Sequence, residues 1–212
     1  MPEKLPIAVL ISGSGTNLQA LMDAAVESDF GCSIAIVISD RVGVEGLQRA
    51  ERAGVATRVV RWDDYPDRSS FTGALCDAAE SVGAKALVLA GFMRILSPEA
   101  INRFPNAIIN VHPALLPAFA GADAVEQALR AGVDTTGVTV HFVDELVDHG
   151  PVIVQQPVPI EVDDDVDTLH ERIQTVEHRL LPEVVSAFGK GRITVRDGAV
   201  QWAADTHVVG GR

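Results

Sequence analysis

The chain has 212 residues, enough for one domain with a large core or for two merged lobes. It is 47% hydrophobic and 22% charged, a globular balance that excludes a disordered chain. Seventeen basic against 29 acidic residues give a net charge of −12, which argues against a non-specific nucleic-acid binder that works by neutralising phosphates. No apolar run is long enough to span a bilayer, so no membrane partner is expected. The start, MPEKLPIAVLIS, runs into a strand without a small-residue cleavage site, and a cytoplasmic location is expected. Cys32 and Cys76 stand in unrelated contexts, which suggests neither a disulfide framework nor a metal site.

Apolar strand-like runs alternate with helix-period segments, the pattern of an α/β fold. In chain order, strands are expected at about Ile7–Ser12, Ser33–Ser39, Ala56–Arg61, Ala86–Ala90, Ala107–Val111, Val138–Phe142 and Val152–Val158. Helices are expected at about Asn17–Ser28, Val44–Ala53, Ser69–Val82, Pro98–Phe104, Ala122–Ala131 and Asp165–Phe188. Leu18, Leu21, Met22, Ala25 and Val26 form one apolar stripe on the first helix. The first four strands are aliphatic on both faces, as in a parallel sheet covered twice. After Gly121 the pattern changes, and the strands at Val138 and Val152 read as an antiparallel addition. The expected architecture is a Rossmann-like, mostly parallel twisted sheet of about seven strands, with helices on both faces and an antiparallel C-terminal part. A domain over residues 1–190 is expected, with lobes at about 1–105 and 106–190. A short tail, 191–212, is expected to follow, in which RITVRDGAVQW reads as a small hairpin turning at Asp197-Gly198.

The first strand empties into Gly13-Ser14-Gly15-Thr16-Asn17-Leu18, which opens a helix. Glycines admit close backbone approach, and a helix N-terminus offers N–H groups and a favourable dipole to an anion. The plainer alternative is a tight turn capped by Thr16 or Asn17. Its place at the carboxyl end of the first strand favours a ligand site. Asp40 ends the second strand, where a ribose-binding acid of a dinucleotide site would stand. However, Leu18 replaces the third glycine of the G-x-G-x-x-G pattern, so a phosphate monoester fits better than a pyrophosphate.

Asn110-Val111-His112-Pro113 closes the fifth strand, and Asp148 follows in the loop DELVDHG. Alternation puts Asn110 and His112 on one face and Val111 on the other, while Pro113 stops the strand and leaves His112 at an exposed tip. A lone His at a strand end is more often structural than catalytic; the shared face, the stiff HPALLP loop and Asp148 tilt this one toward chemistry. An amide and a protonated imidazole can both donate to a developing oxyanion, and a carboxylate can support the imidazole and accept a proton. That set suits acyl transfer to an amine. Thr139 and His141 share a strand face nearby and are read as structural.

Together, LISGSGTNLQAL, AGFMRILSP, NVHPALLP and GVTVHFVDELVDHGPVIVQQ resemble the folate-dependent formyltransferases that formylate phosphoribosylglycinamide. The resemblance runs from Ile7 to about Phe188. It implies a formyltransferase fold, catalytic roles for Asn110, His112 and Asp148, and a phosphate seat at Gly15, Thr16 and Asn17. It implies a substrate contact at Glu177, which the helix alone would leave as a charge on an exposed face. The folate would meet Arg68, the segment Met93, Arg94, Ile95 and Leu96, and Val143, Asp144 and Asp148, with Asn110 at its formyl end. The Val143–Asp148 loop would close over the pterin, with His149 as a modulator.

The resemblance further implies small-molecule partners, glycinamide ribonucleotide and 10-formyltetrahydrofolate, the latter a co-substrate. No tightly bound cofactor, metal or nucleic acid is expected, and a homodimer is left open. The same Asn/His/Asp set serves formyltetrahydrofolate hydrolases and formyltransferases for other amines, including sugars and methionyl-tRNA. The GSGTN loop, the charge and the short tail favour the ribonucleotide. The chain departs from the family at Ala118, Ala120 and Ala122-Asp123. In this stretch the family usually has a basic residue, an aromatic, a variable residue and Gly and then often a His, so binding strength or the order of this loop is in question.

Overall fold

A computed structural model describes residues 4–203. The first half alternates β1 (Leu5–Ile11), α1 (Thr16–Ala25), β2 (Cys32–Ser39), α2 (Glu45–Arg52), β3 (Thr57–Val59), α3 (Arg68–Glu80), β4 (Ala86–Leu89) and α4 (Pro98–Arg103). A 3-10 turn at Trp62–Asp64 lies between β3 and α3. The second half holds β5 (Ile108–His112), α5 (Ala124–Ala131), β6 (Thr135–Phe142), β7 (Val152–Pro159), α6 (Val166–Gly189), β8 (Ile193–Arg196) and β9 (Ala199–Trp202). Every expected element is present in kind and order. The largest boundary differences have local causes. β3 is an edge strand and is limited to Thr57–Val59, the residues that pair with β2. Helix α5 starts late because Gly121 (φ 88°) and Asp123 (φ 57°) are left-handed.

The main sheet runs β3-β2-β1-β4-β5-β6-β7. β3, β2, β1, β4 and β5 are mutually parallel, and β6 and β7 add antiparallel pairs. It passes without a break through β4 and β5, on either side of the expected lobe boundary. The chain winds outward from β1 to β3, then restarts on the other side at β4. This reversal opens a crevice at the carboxyl ends of β1 and β4, where open α/β sheets bind ligands.

Strand alternation separates two cores across the sheet. Ile7, Val9 and Ile11 enter a layer with α1, α2 and α6, whereas Ala8 and Leu10 enter a layer with α3 and α4. The second layer is centred on Phe71, which meets Trp62 and Tyr65 edge-on at 5.1 and 6.0 Å and stacks with Phe92 at 6.5 Å. Helix α6 is set by a capping box in which Asp165 accepts from the Thr168 N–H and Thr168 Oγ1 accepts from the Asp165 N–H. The tail hairpin turns at Asp197 (φ 52°) and Gly198 (φ 74°), both left-handed as a tight two-residue turn requires. Trp202 of this hairpin donates from Nε1 to the Ile153 carbonyl, which ties it to the edge strand β7.

Phe71 is wholly buried and has aromatic neighbours that cannot collapse into the space it fills. Phe71→Ala is expected to lower unfolding free energy by about 3–5 kcal/mol, read from urea denaturation.

Candidate active site

Three loops meet at the carboxyl edge of the sheet. The first follows β1, the second follows β4, and they are stitched together: the Ser12 N–H donates to the Gly91 carbonyl (3.1 Å) and the Met93 N–H donates to Ser12 Oγ (2.8 Å). The third follows β5, whose last residues include Asn110 and His112.

The β1 loop turns into α1 at Gly15, which is left-handed (φ 71°). A Cβ there would lie 2.6 Å from Gly46 Cα, so only glycine lets α1 and α2 approach this closely. Helix α1 has no side-chain cap hydrogen bond and no acidic residue in its first turn, so its N-terminal dipole is uncompensated. Arg49 of α2 donates from Nε to the Ser14 carbonyl at 2.9 Å, while its Nη2 pairs with Glu45 of the same helix at 2.6 Å. Asn17, expected to hold phosphate, is buried; its Nδ2 donates to Glu177 Oε2 at 2.8 Å, while its Oδ1 is buried without a hydrogen-bond partner. Glu177 is 5% exposed, not a charge on an open helical face, because α1 and α6 pack at this point. Burial pushes its carboxyl above the usual range, against the opposing hydrogen bond from Asn17 and the charge of His170.

At the end of β5, Asn110 and His112 share a face as expected. His112 is not exposed: only 5% of its surface is accessible, because the loop after Pro113 folds back over it. Its Nε2 lies 2.8 Å from the Phe119 carbonyl oxygen, and its Nδ1 lies 3.3 Å from Asp148 Oδ2. A carbonyl only accepts, so Nε2 carries a proton and Nδ1 is the nitrogen turned to the carboxylate. Asp148 Oδ2 also accepts from the Gly121 N–H at 2.8 Å, and Asp148 Oδ1 lies 3.4 Å from Asn110 Nδ2. Both Phe119 (φ 54°) and Asp148 (φ 51°) are left-handed, a costly state for a phenylalanine that packing must enforce.

His141 was read as structural, yet it belongs to the site. It pairs with Asn110 across β5 and β6. Its Nδ1 faces the Phe142 carbonyl at 2.8 Å and therefore donates, leaving Nε2 to accept from Asn110 Nδ2 at 3.1 Å. That contact fixes which way the Asn110 amide points. His141 Nε2 is also 3.6 Å from Asp148 Oδ1. Thr139 does keep its structural role: Oγ1 donates to the Ala114 carbonyl and accepts from the Leu116 N–H, pinning the HPALLP loop. Desolvation alone would raise the Asp148 pKa, but the adjacent His141 imidazole, the Gly121 N–H and the nearby His112 hold it below the usual carboxylate range.

A profile of the formyl transferase family matches residues 5–185. The chain belongs to that family. It is 44% identical over 200 residues to the trifunctional purine biosynthetic protein adenosine-3 of Gallus gallus, covering 94% of this chain and 20% of that protein. It therefore spans about a fifth of the length of that relative. Over 193 residues it is 38% identical to the phosphoribosylglycinamide formyltransferase of Escherichia coli (strain K12), covering 91% of each. The crystal structure of glycinamide ribonucleotide transformylase 1 from Symbiobacterium toebii matches with a TM-score of 0.92 at 44% identity, over 95% of each chain.

In this member of the formyl transferase family the residues expected to face folate are not all alike. Met93 (69% exposed) and Ile95 (54%) present apolar side chains to solvent, whereas Leu96 is core. Arg94 is turned to Asp40, its Nε 2.8 Å from Oδ2. That pairing also occupies the acid that a dinucleotide ribose would need. Val143 is half-buried against the α3 layer, and its N–H donates to the Ile108 carbonyl. The Asp144 carboxylate is taken by the Leu146 N–H and by His149 Nδ1 at 2.9 Å, so His149 acts on the loop and not on the triad. Arg68 stands exposed at the first turn of α3 and lines a separate groove of about 660 Å³ with Ser69, Ser97, Glu99 and Arg103; it is not among the residues that touch Asp148. Among the described residues, no cluster of three or more His, Cys, Asp or Glu is arranged for a metal ion.

Because the Glu177 pKa is raised by folding, the native state binds more protons than the unfolded chain as pH rises past about 4.3, and stability falls through that window. Glu177→Gln keeps an oxygen for Asn17 and removes the charge. Urea denaturation is expected to find the variant more stable than wild type at pH 7, with the gap closing below about pH 4.

Proposed function

We propose that this chain transfers the formyl group of 10-formyltetrahydrofolate to the primary amine of phosphoribosylglycinamide, a step of purine biosynthesis, in the cytoplasm. The products are formylglycinamide ribonucleotide and tetrahydrofolate. The observation that carries the reading is the Asp148 carboxylate, whose oxygens lie 3.3 Å from His112 Nδ1 and 3.4 Å from Asn110 Nδ2. An anion is thus already addressed by both donors that an oxyanion would need. The acceptor is supported by the uncapped start of α1, a seat for one phosphate, and by the name of the Escherichia coli relative, which matches along nearly its whole length. Among the described residues no helix is long and apolar enough to cross a membrane.

The neutral amine attacks the formyl carbon, a C–N bond forms, and the carbonyl electron pair moves to oxygen. Asn110 Nδ2 and His112 Nδ1, the two nitrogens turned to Asp148, donate to that oxygen, while His112 Nε2 stays on the Phe119 carbonyl. His141 keeps the Asn110 amide turned toward it, and the Phe119 carbonyl keeps the imidazole in register. Asp148 balances a protonated His112 and takes the amine's surplus proton directly or through water. Return of the electron pair to carbon breaks the bond to folate N10, which leaves with a proton. Gly15, Thr16 and Asn17 hold the phosphate, and Glu177 contacts the ribose hydroxyls. Met93, Ile95, Val143 and the backbone at Arg94 and Leu96 receive the pterin, and Arg68 and Asp144 border the folate.

Purified protein given both substrates is expected to release tetrahydrofolate only when phosphoribosylglycinamide is present. Release that ignores the amine would identify a hydrolase instead. Asn110→Ala, His112→Ala and Asp148→Ala are each expected to lower kcat by about 10²–10⁴ with the fold intact by circular dichroism. Turnover within twofold of wild type in all three would overturn the mechanism.

A further inference from the structure

Asp40, at the carboxyl end of β2, has a fully buried side chain. A buried carboxylate is tolerated only when a counter-charge or strong donors compensate it. The close one here is Arg94, two strands away across the end of β1, with Nε at 2.8 Å from Oδ2. Arg41 Nε is farther, at 3.8 Å from the same oxygen. Asp40 Oδ1 is buried without a hydrogen-bond partner, so the ion pair with Arg94 carries most of the compensation. The Arg94 guanidinium also lies over the Trp62 ring, 5.2 Å from its centroid, which fixes it from a second side.

The loop from Gly91 to Leu96 is therefore held at two points along its middle. The Met93 N–H is bound by Ser12 Oγ, and the next side chain is drawn to Asp40. With Arg94 anchored, its neighbours Met93 and Ile95 remain more than half exposed as apolar surface. An Arg94 that instead left to bind a ligand carboxylate would strand Asp40 as an unpaired buried charge, a larger cost than an exposed ion pair returns.

We infer that Asp40 is a positioning residue for the folate half of the site: through Arg94 it sets the 91–96 loop so that Met93 and Ile95 face the pterin. The inference rests on the formyl-folate reading above. It assigns Arg94 the work of a strut and leaves the reading of the ring to the loop backbone and its two apolar side chains.

Asp40→Asn, Arg94→Gln and the double variant test this in the full chain. The readouts are calorimetric Kd values for tetrahydrofolate and, separately, for phosphoribosylglycinamide, beside turnover. Each single variant is expected to bind tetrahydrofolate about tenfold more weakly, with phosphoribosylglycinamide within about twofold of wild type. The double variant is expected to regain most of the loss, since neither charge is then left alone. Unchanged tetrahydrofolate affinity in both single variants, or equal weakening for both ligands, would overturn the positioning role. If Asp40→Asn does not fold, Arg94→Gln, at the partly exposed end of the pair, decides the matter. Wild-type protein that binds tetrahydrofolate without transferring formyl would overturn the proposed reaction while leaving the Asp40 measurement valid.

Discussion

The arrangement at the end of β5 depends on where one half-buried carboxylate sits. Asp148 comes from a loop, yet it is held by the Gly121 N–H and faces Asn110, His112 and His141 at once. Remove its charge and three polar groups in a largely water-free pocket lose their common partner. The left-handed backbone at Asp148 and at Phe119 shows what holds these contacts in place. Such geometry persists only where the surroundings over-determine it. Thr139 pins the start of the HPALLP loop, and Gly150 closes the other loop against Phe142, where a Cβ would fall 1.9 Å from the carbonyl oxygen.

The fold prepares the rest by reversing its strand order between β1 and β4. That reversal puts the β1 and β4 loops side by side, and Ser12 then bonds to both Gly91 and Met93. The proposed phosphate seat and the proposed apolar shelf for a flat ring thus share one anchor. The net charge of −12 is no obstacle to the proposed anion seat, because the uncapped start of α1 offers it local N–H donors and the helix dipole.

Much of this was legible in the sequence. Strand alternation alone placed Asn110 and His112 on one face, and the aliphatic runs of β1 and β4 marked a sheet buried on both sides. What escaped needed pairing between distant segments. His141 becomes visible only once β6 is registered against β5, since the Asn110–His141 pair is a cross-strand relation. Glu177 looked exposed because a helix's own periodicity does not reveal which helix will cover it, here α1. Asp40 suggested a ribose acid until Arg94 arrived from two strands away.

The same distinction resolves the departures at Ala118, Ala120 and Ala122-Asp123. Those substitutions remove side chains that the family usually carries, and from the sequence they put the loop's order in question. The loop's contribution to the triad is made by the main chain, through the Phe119 carbonyl on His112 and the Gly121 N–H on Asp148. Main-chain contacts survive changes of side chain as long as the backbone path is kept. That path is kept by Gly121 at φ 88° and by Gln155, which donates to the Leu116 carbonyl at 2.8 Å and to Thr139 Oγ1 at 2.9 Å. Alanines are therefore acceptable where they stand, and the constraint in this stretch falls on Gly121 and on the residues that brace the loop from β6 and β7.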